Sequence, residues 1–226
     1  MELYELGGTG GRRYSVYSWR TRMALAHKGL AFQSRPVAVS DKAAIAFSGQ
    51  ERVPILKDGE RVVHDSWKIA EYLDETYPDQ PLFGGEIGRS VTRVINAWAD
   101  RTLIPLLFPA LMLENVTRLA APDATHIRAQ LEKATGRPLE ELAAGRAGAV
   151  KAFARALDPV RATLRSQPYL CGAAPAYADY IVFSLLQWPR VASPDPILPA
   201  DDAVAAWFDR LLDAHGGIGR AEPAAT

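Results

Sequence analysis

The chain has 226 residues, a formal net charge of zero and 48% hydrophobic residues, which is enough to bury one large core or two smaller ones. The balanced charge, with no Lys/Arg run, argues against nucleic acid or an acidic membrane surface as the main partner. No apolar run approaches the roughly 18 residues that cross a bilayer, and the first residues lack an apolar signal core. We therefore expect a cytoplasmic protein.

Cysteine and histidine are sparse in this chain. The single cysteine, Cys171, excludes an internal disulfide, and we expect it to be a small core residue. Four scattered histidines without metal-ligand spacing predict no metal site.

The first segment predicts a strand followed by a glycine-rich loop. Glu2 to Leu6 is a short strand, and the glycines between 7 and 11 end it. The loop lacks the Gly-Lys-Ser/Thr of a phosphate-binding P-loop and the Gly-x-Gly-x-x-Gly dinucleotide spacing. Arg12 and Arg13 follow directly and could attract an anionic ligand or simply face solvent, so their role stays open.

Residues 14–29 predict the helix around which the chain is organised. Trp19, Met23 and Ala26 recur at helical spacing, and Gly29 suits a left-handed stop. Ser15 lies where a helix leaves N–H groups unpaired and carries about half a positive charge. Ser15 is therefore either an ordinary N-cap or part of an anion site.

Next come an edge strand and a hairpin. Residues 32–39 surround Pro36 and fit an edge strand, and residues 41–47 form a weak helix. Residues 52–63 predict two strands joined by an Asp-Gly turn. Pro54 is explained either by an edge strand or by a cis Val53-Pro54 bond. A cis bond would leave the Val53 amide and carbonyl free to pair with an extended peptide.

Asp65 and Ser66 begin a helix whose buried stripe contains Ile69 and Leu73. Both residue types are preferred at helix starts, so a cap is one interpretation. The other is functional: Ser66 with its own N–H could bind a carboxylate while Asp65 binds an ammonium group, which together would hold a zwitterionic amino-acid end.

Residues 78–85 are rich in turn formers and mark a boundary, after which the chain predicts only helices. Pro105 and Pro109 predict a long helix kinked or broken twice. Further helices are expected at 122–133 and, as a third and fourth, within 139–165. The most apolar stripe, from Tyr177 to Trp188, predicts the central helix. Asp201 or Asp202 caps a last helix that ends at Gly216-Gly217, and the residues beyond it are expected to be loosely held.

Several motifs together resemble the cytosolic glutathione transferases. They are the helix motif Ser15-Val16-Tyr17-Ser18-Trp19-Arg20, the Arg52-Val53-Pro54 hairpin, and Asp65-Ser66 before a helix ending Tyr72-Leu73-Asp74-Glu75. The first of these looks like the serine motif of the zeta class, with Val and Tyr where zeta has Ser and Cys. The segments 65–75 and 137–146 are similar to the bacterial β-aryl etherases and their fungal FuA-class relatives.

The resemblance implies an α/β N-terminal thioredoxin-like domain with a mixed four-stranded sheet (residues 1–80), a linker (81–88), and an all-α C-terminal helical domain with the second-substrate site (89–226). It also implies glutathione as co-substrate, no metal, and a homodimer. The γ-glutamyl end of glutathione would be held by Asp65 and Ser66. The cysteine backbone would lie on Val53 beside Pro54, and the terminal carboxylate near Arg52.

In this arrangement Ser15 faces the sulfur. Serine cannot act as the base, but its hydroxyl can donate a hydrogen bond to a thiolate. In family structures a neighbouring hydroxyl sometimes takes this role, so Tyr17 and Ser18 are the alternatives. The electrophile's pocket would lie between the domains, near the loop after Leu6 and near Phe108, Leu111 and Met112.

Three activities stay open on the sequence alone. Glutathione attack on a β-aryl ether is suggested by the etherase likeness, zeta-type isomerisation is the rival, and general conjugation in detoxification is the broad default. A non-catalytic module with a glutathione-transferase fold that stores apolar ligands is the alternative from another class.

One position departs from the family pattern. Glutathione transferases usually open the central helix with Ser or Thr, paired with Asp three residues on in a capping box. Here Ala176 stands at that place while Asp179 remains, so we expect a weaker helix start.

Overall fold

The computed structural model describes residues 1–225. Its sheet has four strands, β1 (Glu2–Leu6), β2 (Gln33–Val37), β3 (Ile55–Asp58) and β4 (Arg61–His64), in the order β2-β1-β3-β4. Strand β1 is parallel to β2 and antiparallel to β3, which is in turn antiparallel to β4. The sheet is therefore mixed, as predicted, and β2 with its Pro36 lies at an edge, where proline is tolerated.

Two helices complete the thioredoxin-like domain, α1 (Val16–His27) and α2 (Ser66–Thr76). Trp19 and Met23 of the predicted apolar stripe are fully buried, whereas Ala26 is half-buried and Leu25, outside that stripe, is fully buried. The weak helix expected at 41–47 is a 3₁₀ segment, Ala43–Ser48. The Val53-Pro54 peptide bond is cis, which decides between the two explanations of Pro54.

The second half of the chain is helical. Its helices are α3 (Glu86–Trp98), α4 (Ile104–Thr117), α5 (Ala121–Thr135), α6 (Leu139–Ala144), α7 (Arg146–Ala156), α8 (Asp158–Leu164), α9 (Tyr177–Ala192) and α10 (Ala203–Ala221). Helix α9 is buried along almost its whole length and packs against α1, so it is the predicted central helix. Asp202 caps α10 by accepting from the Val204 N–H, which is one of the two caps that the sequence allowed.

The helical half differs from the sequence expectation in its breaks. The long helix is interrupted once, by a π-helical turn at Ala99–Leu103. Pro105 lies in the first turn of α4, where its missing N–H is not needed, and Pro109 stays inside that helix. Residues 139–165 form three helices instead of two, because Gly145 and Pro159 lie at the starts of new segments.

Two further expectations were wrong. Helix α10 is broken at Ala214–Gly217 but resumes up to Ala221, and residues 222–225 fold back onto the molecule through hydrogen bonds to Arg12 and Arg190. Cys171 is exposed rather than part of the core, because it lies in the tight turn between Tyr169 and Gly172.

Buried charges hold the connection between the two halves and join the halves directly. Lys28 on α1 donates to Asp74 at 2.6 Å, and Asp74 also accepts the Leu82 N–H at the start of the connection. Arg20, fully buried on α1, pairs with Asp100 of the π-helical turn at 2.8 Å. None of the helices in residues 1–225 is long and apolar enough to cross a membrane.

Candidate active site

The start of α1 presents a hydroxyl and unpaired backbone donors. Ser15 is the N-cap, and its Oγ accepts the Ser18 N–H at 3.4 Å. Within the described residues the N–H groups of Val16 and Tyr17 have no hydrogen-bond partner, as is typical of a first helical turn. The Ser15 hydroxyl hydrogen remains available for donation, so this end of the helix can hold an anion.

Arg12 and Arg13, whose role was open, make contacts within the protein. Arg12 donates to the backbone carbonyl of Ala224 at 3.0 Å. The Arg13 guanidinium pairs with Glu5, whose side chain is fully buried in β1. The two arginines therefore position the loop before Ser15, and this structure gives no ground for an anionic ligand there.

A cavity of about 650 Å³ opens beside Ser15. It brings together Ser15, Arg52 and Val53, three of the residues predicted to bind glutathione. The backbone N–H and C=O of Val53 have no partner in the part of the chain that the structure describes, while Pro54 behind it is buried. An extended peptide could pair with these groups as an added strand.

Asp65 and Ser66 lie at the start of α2. Asp65 has a left-handed backbone, with φ of 71°, and its Oδ1 accepts the N–H groups of Trp67 at 3.0 Å and Lys68 at 3.1 Å. Such strain in a non-glycine residue clusters at functional sites. Ser66 is buried, and its carbonyl accepts a hydrogen bond from the Tyr177 hydroxyl of α9 at 2.7 Å.

The predicted site residues divide between two clefts. Asp65 lines a second cleft of about 600 Å³ between α2 and α3, which also includes Arg93 and Asp100. Tyr17 is 40% exposed and lies near both groups of residues. Burial and the carboxylates of Asp100 and Asp65 raise the pKa of the Tyr17 phenol, against the effect of Arg20 and Arg52. Tyr17 is thus a neutral donor at physiological pH.

Ser18, the other alternative donor, points away from both clefts. Its side chain is fully buried, and its Oγ has no hydrogen-bond partner within residues 1–225. In this conformation Ser18 contributes only its backbone N–H, which donates to the Ser15 Oγ.

The three residues predicted to line an electrophile pocket do not line the cavity beside Ser15. Leu111 and Met112 are buried in the core, and Phe108 packs against Trp188 with ring centroids 6.4 Å apart. The reason is that α4 packs against α6 and α7 and so directs these apolar side chains inward.

Helix α5 forms one wall of the cavity beside Ser15, through His126, Ile127 and Gln130. Its Asp123 carboxylate is buried and accepts the backbone N–H groups of Val39 and Ser40 at 2.8 and 3.0 Å, which holds the loop after β2 against α5. His126 Nε2 and Gln130 Nε2 are 2.9 Å apart, so the histidine ring accepts from the amide there.

Sequence reasoning missed this wall and Lys42, which also lines the cavity. Residues 122–133 carried only the signal of an amphipathic helix, and nothing in the chain indicated which face would meet Ser15. Residues 1–225 contain no group of three His, Cys, Asp or Glu side chains placed to hold a metal ion.

Curated relatives are found among zeta-class proteins. The chain is 37% identical to "Glutathione S-transferase Z1" of Arabidopsis thaliana over 91 residues, 34% of this chain and 40% of that protein. The aligned region thus spans less than half of that relative. This chain is also 29% identical over 179 residues to "Glutathione S-transferase zeta class" of Euphorbia esula, and that alignment covers 76% of this chain and 78% of the relative.

A solved structure has the same fold over almost the whole length. The glutathione transferase GSTFuA3 from Phanerochaete chrysosporium matches with a TM-score of 0.83 and 22% identity, covering 93% of this chain and 95% of that one.

Two family models account for both halves of the chain. The model "Glutathione S-transferase, N-terminal domain" matches residues 11–81 and "Glutathione S-transferase, C-terminal domain" matches residues 90–211, more than half of the chain by itself. The chain belongs to the glutathione S-transferase family.

Proposed function

We propose that this protein is a glutathione transferase in which Ser15 stabilises the glutathione thiolate for attack on an apolar, aromatic electrophile. The observation that carries the proposal is the position of the Ser15 hydroxyl at the N-terminus of α1, on the same cavity as the unpaired backbone of Val53. The cysteine backbone of glutathione pairs with Val53, beside the cis Pro54. This pairing directs the sulfur toward α1.

The ends of the tripeptide match the remaining residues. Arg52 lines the cavity and is exposed, so its guanidinium can pair with the terminal carboxylate of glutathione. The Ser66 hydroxyl and N–H at the start of α2 suit the γ-glutamyl carboxylate, and the free Oδ2 of Asp65 suits the ammonium group. Tyr17, between the two clefts, is the alternative donor to the sulfur.

The hydrogen bond from Ser15 and the N-terminus of α1 together supply enough free energy to keep the bound thiol ionised. A thiol with a pKa of about 8.5 is only a few per cent ionised at neutral pH, and lowering that pKa by about two units needs about 2.7 kcal/mol of preference for the thiolate. A hydrogen bond to a charged acceptor contributes about 1.5–3 kcal/mol, and a helix N-terminus adds up to about 2 kcal/mol. The bound thiolate then attacks an electrophilic carbon: the C–S bond forms, and the leaving group departs with its bonding electron pair.

The second substrate occupies the cavity between Ser15 and the α5 wall. Cleavage of a β-aryl ether, in which the thiolate attacks beside a ketone and a phenolate leaves, is the narrower candidate. Zeta-like isomerisation is the alternative, favoured by the zeta-class relatives. A module that binds ligands without turnover is disfavoured by the hydroxyl at residue 15. A cytoplasmic location remains a prediction of the sequence.

Substitution of Ser15 tests the thiolate assignment. Ser15→Ala is expected to raise the pKa of bound glutathione by about 1–2 units, since the donor to the charged sulfur is lost. The pH dependence of thiolate absorbance measures this. Ser18→Ala is the matched control, because that hydroxyl is buried away from the cavity. An unchanged profile in Ser15→Ala, with a shift in Tyr17→Phe instead, would transfer the role to Tyr17.

Retention on a glutathione column, followed by assays with a β-aryl ether and a generic aryl halide, separates the activities. Product from the ether supports etherase chemistry, and product only from the halide supports general conjugation. Binding without product in either assay contradicts the transferase proposal and favours the module.

We also propose a homodimer, by analogy with the fold family. It is supported by an apolar face on α3, where Ile87, Val91 and Val94 are 82%, 59% and 66% exposed. Contiguous apolar exposure of this kind is typical of an interface.

A further inference from the structure

The loop before Ser15 is held from the far end of the described chain. Residues 222–225, here named the return segment, leave α10 and fold back over α9. The Ala225 N–H donates to the Arg190 carbonyl at 2.8 Å, and the Arg190 guanidinium donates to the Glu222 carbonyl at 2.8 Å. The return segment is therefore anchored to the helical domain on both of its sides.

From this anchor the return segment reaches the thioredoxin-like domain. The Glu222 carboxylate accepts the backbone N–H of Arg13 at 2.9 Å, and Arg12 donates to the Ala224 carbonyl at 3.0 Å. Each contact joins residues more than 200 positions apart. On the thioredoxin-like side the residues are Arg13 and Arg12, which lie two and three positions before the N-cap Ser15.

Arg13 is held at each of its polar groups. Its carbonyl accepts a hydrogen bond from the Trp19 indole, its guanidinium pairs with the buried Glu5, and its N–H is bound by Glu222. Of these three partners only Glu222 comes from outside the first domain. Nearer the start of the loop, the Thr9 N–H donates to the Arg118 carbonyl at the end of α4 at 2.8 Å.

The Ser15 side chain has little support of its own. Its own bond from the Ser18 N–H is long, at 3.4 Å, and the loop contains two glycines with left-handed backbones, Gly10 and Gly11, which restrict the chain little. The Ser15 carbonyl is held in α1 by the Trp19 N–H at 3.0 Å, whereas the chain that enters Ser15 is held through Arg13, two residues earlier. A donor displaced by a fraction of an ångström stabilises a thiolate less.

We propose that Glu222 is a positioning residue for Ser15: the return segment of the helical domain fixes the Arg13 backbone, and through it the hydroxyl that faces the sulfur. This rests on the proposed function. It makes the ionisation of bound glutathione depend on a residue that does not touch glutathione.

The test compares Glu222→Ala, Glu222→Gln and the control Glu60→Ala, an exposed glutamate at the hairpin turn. Two quantities are measured: the pH midpoint of thiolate absorbance of bound glutathione, and the Kd of S-methylglutathione, whose sulfur cannot ionise. Glu222→Ala is expected to raise the midpoint by about 0.5–1 unit, because the donor is displaced rather than removed.

The other readouts distinguish positioning from general damage. S-methylglutathione affinity should stay within about twofold, since Val53, Asp65 and Ser66 are not touched. Glu222→Gln should restore the parent midpoint, because its amide oxygen still accepts the Arg13 N–H. An unchanged midpoint in Glu222→Ala, or an equal shift in Glu60→Ala, overturns the proposal.

Failure of the proposed function would show separately, as no binding of S-methylglutathione by the parent chain. Hydrogen exchange at the Arg13 amide and at the Trp19 amide, which donates to the Ser15 carbonyl at 3.0 Å, then decides the positioning. Faster exchange in Glu222→Ala but not in Glu60→Ala supports it, and equal exchange overturns it.

Discussion

Asp179 organises the start of the central helix although the residue expected to cap that helix is absent. Its buried carboxylate accepts the N–H groups of Leu170 at 2.7 Å, Cys171 at 3.1 Å and Ala176 at 3.2 Å, and the Trp207 indole N–H at 3.0 Å. Hydrogen bonds of this kind stabilise the charged carboxylate, but burial has the larger effect and raises its pKa. Half of the capping box therefore persists and also ties the preceding turn to α10.

The other half can be restored. Ala176 is the N-cap of α9 with an extended backbone and no side-chain acceptor. Ala176→Ser adds a side-chain acceptor beside the Asp179 N–H, which now donates to the Ala176 carbonyl at 3.0 Å, so we expect a gain of up to about 1 kcal/mol and a Tm higher by up to about 2–4 °C. Differential scanning calorimetry measures the change. Ala176→Val, which adds bulk without an acceptor, should not raise Tm; a lower Tm for the serine variant would show that the helix register differs.

At the scale of elements, α3 has one face in the core and one exposed apolar face that no other part of the described chain covers. Thr92 is buried, while Ile87, Val91 and Val94 follow one another at i, i+4 and i+7 on the exposed side. If this face of α3 were in contact with water only, polar residues would be expected there. This face is accordingly the best candidate for the proposed pairing of two chains.

A charge placed on that face should separate the dimer. Val94→Glu leaves the core of the chain intact but places a carboxylate in an apolar contact, where burial of an unpaired charge is costly. We expect sedimentation at micromolar concentration to show two chains for the parent and one for Val94→Glu. Lys151→Glu on α7 is the charge-change control and should remain dimeric. A parent that sediments as one chain contradicts the dimer.

At the scale of the whole molecule, the two domains meet at two histidines and a tyrosine. Tyr180 on α9 has its hydroxyl 2.6 Å from His27 Nδ1 and 2.7 Å from His215 Nε2. His27 Nε2 lies 3.0 Å from the Gln80 carbonyl and must therefore donate to it, which leaves Nδ1 to accept from Tyr180. The Tyr180 oxygen then accepts from His215, and the three groups form one neutral chain.

This arrangement predicts a loss of stability in acid. Burial lowers the pKa of His27, and it lowers that of His215 to about 4, with His27 adding to the effect. A depressed folded-state pKa means that the unfolded chain binds protons first, so stability falls as the pH drops from about 6.5 toward 4, by roughly 1–3 kcal/mol after a discount for solvent screening of these partly exposed rings. Urea unfolding at several pH values measures this. His215→Asn, which tolerates the left-handed backbone, should flatten the dependence; an equal slope would contradict the prediction.

Local physical chemistry determined much of this protein from the sequence alone. Strand patterning with Pro36 indicated an edge strand, helical spacing with Ser15 and Asp202 indicated two helix starts, and the Val53-Pro54 dipeptide allowed a cis bond; the structure confirms each. These features depend on neighbours within a few residues, which one sequence contains. The domain boundary at 81–88 and the catalytic role of Ser15 stay predictions.

Only the tertiary structure decided which side chains meet. An apolar residue on a helix can face the core or a cavity. The packing of α4 places Leu111 and Met112 inside the core, and the packing of α5 places His126 at the cavity. Likewise the contact of Glu222 with Arg13 spans 209 positions, and no local pattern encodes it. Periodicity determines the faces of an element, whereas the partner of each face follows from how all the elements pack together.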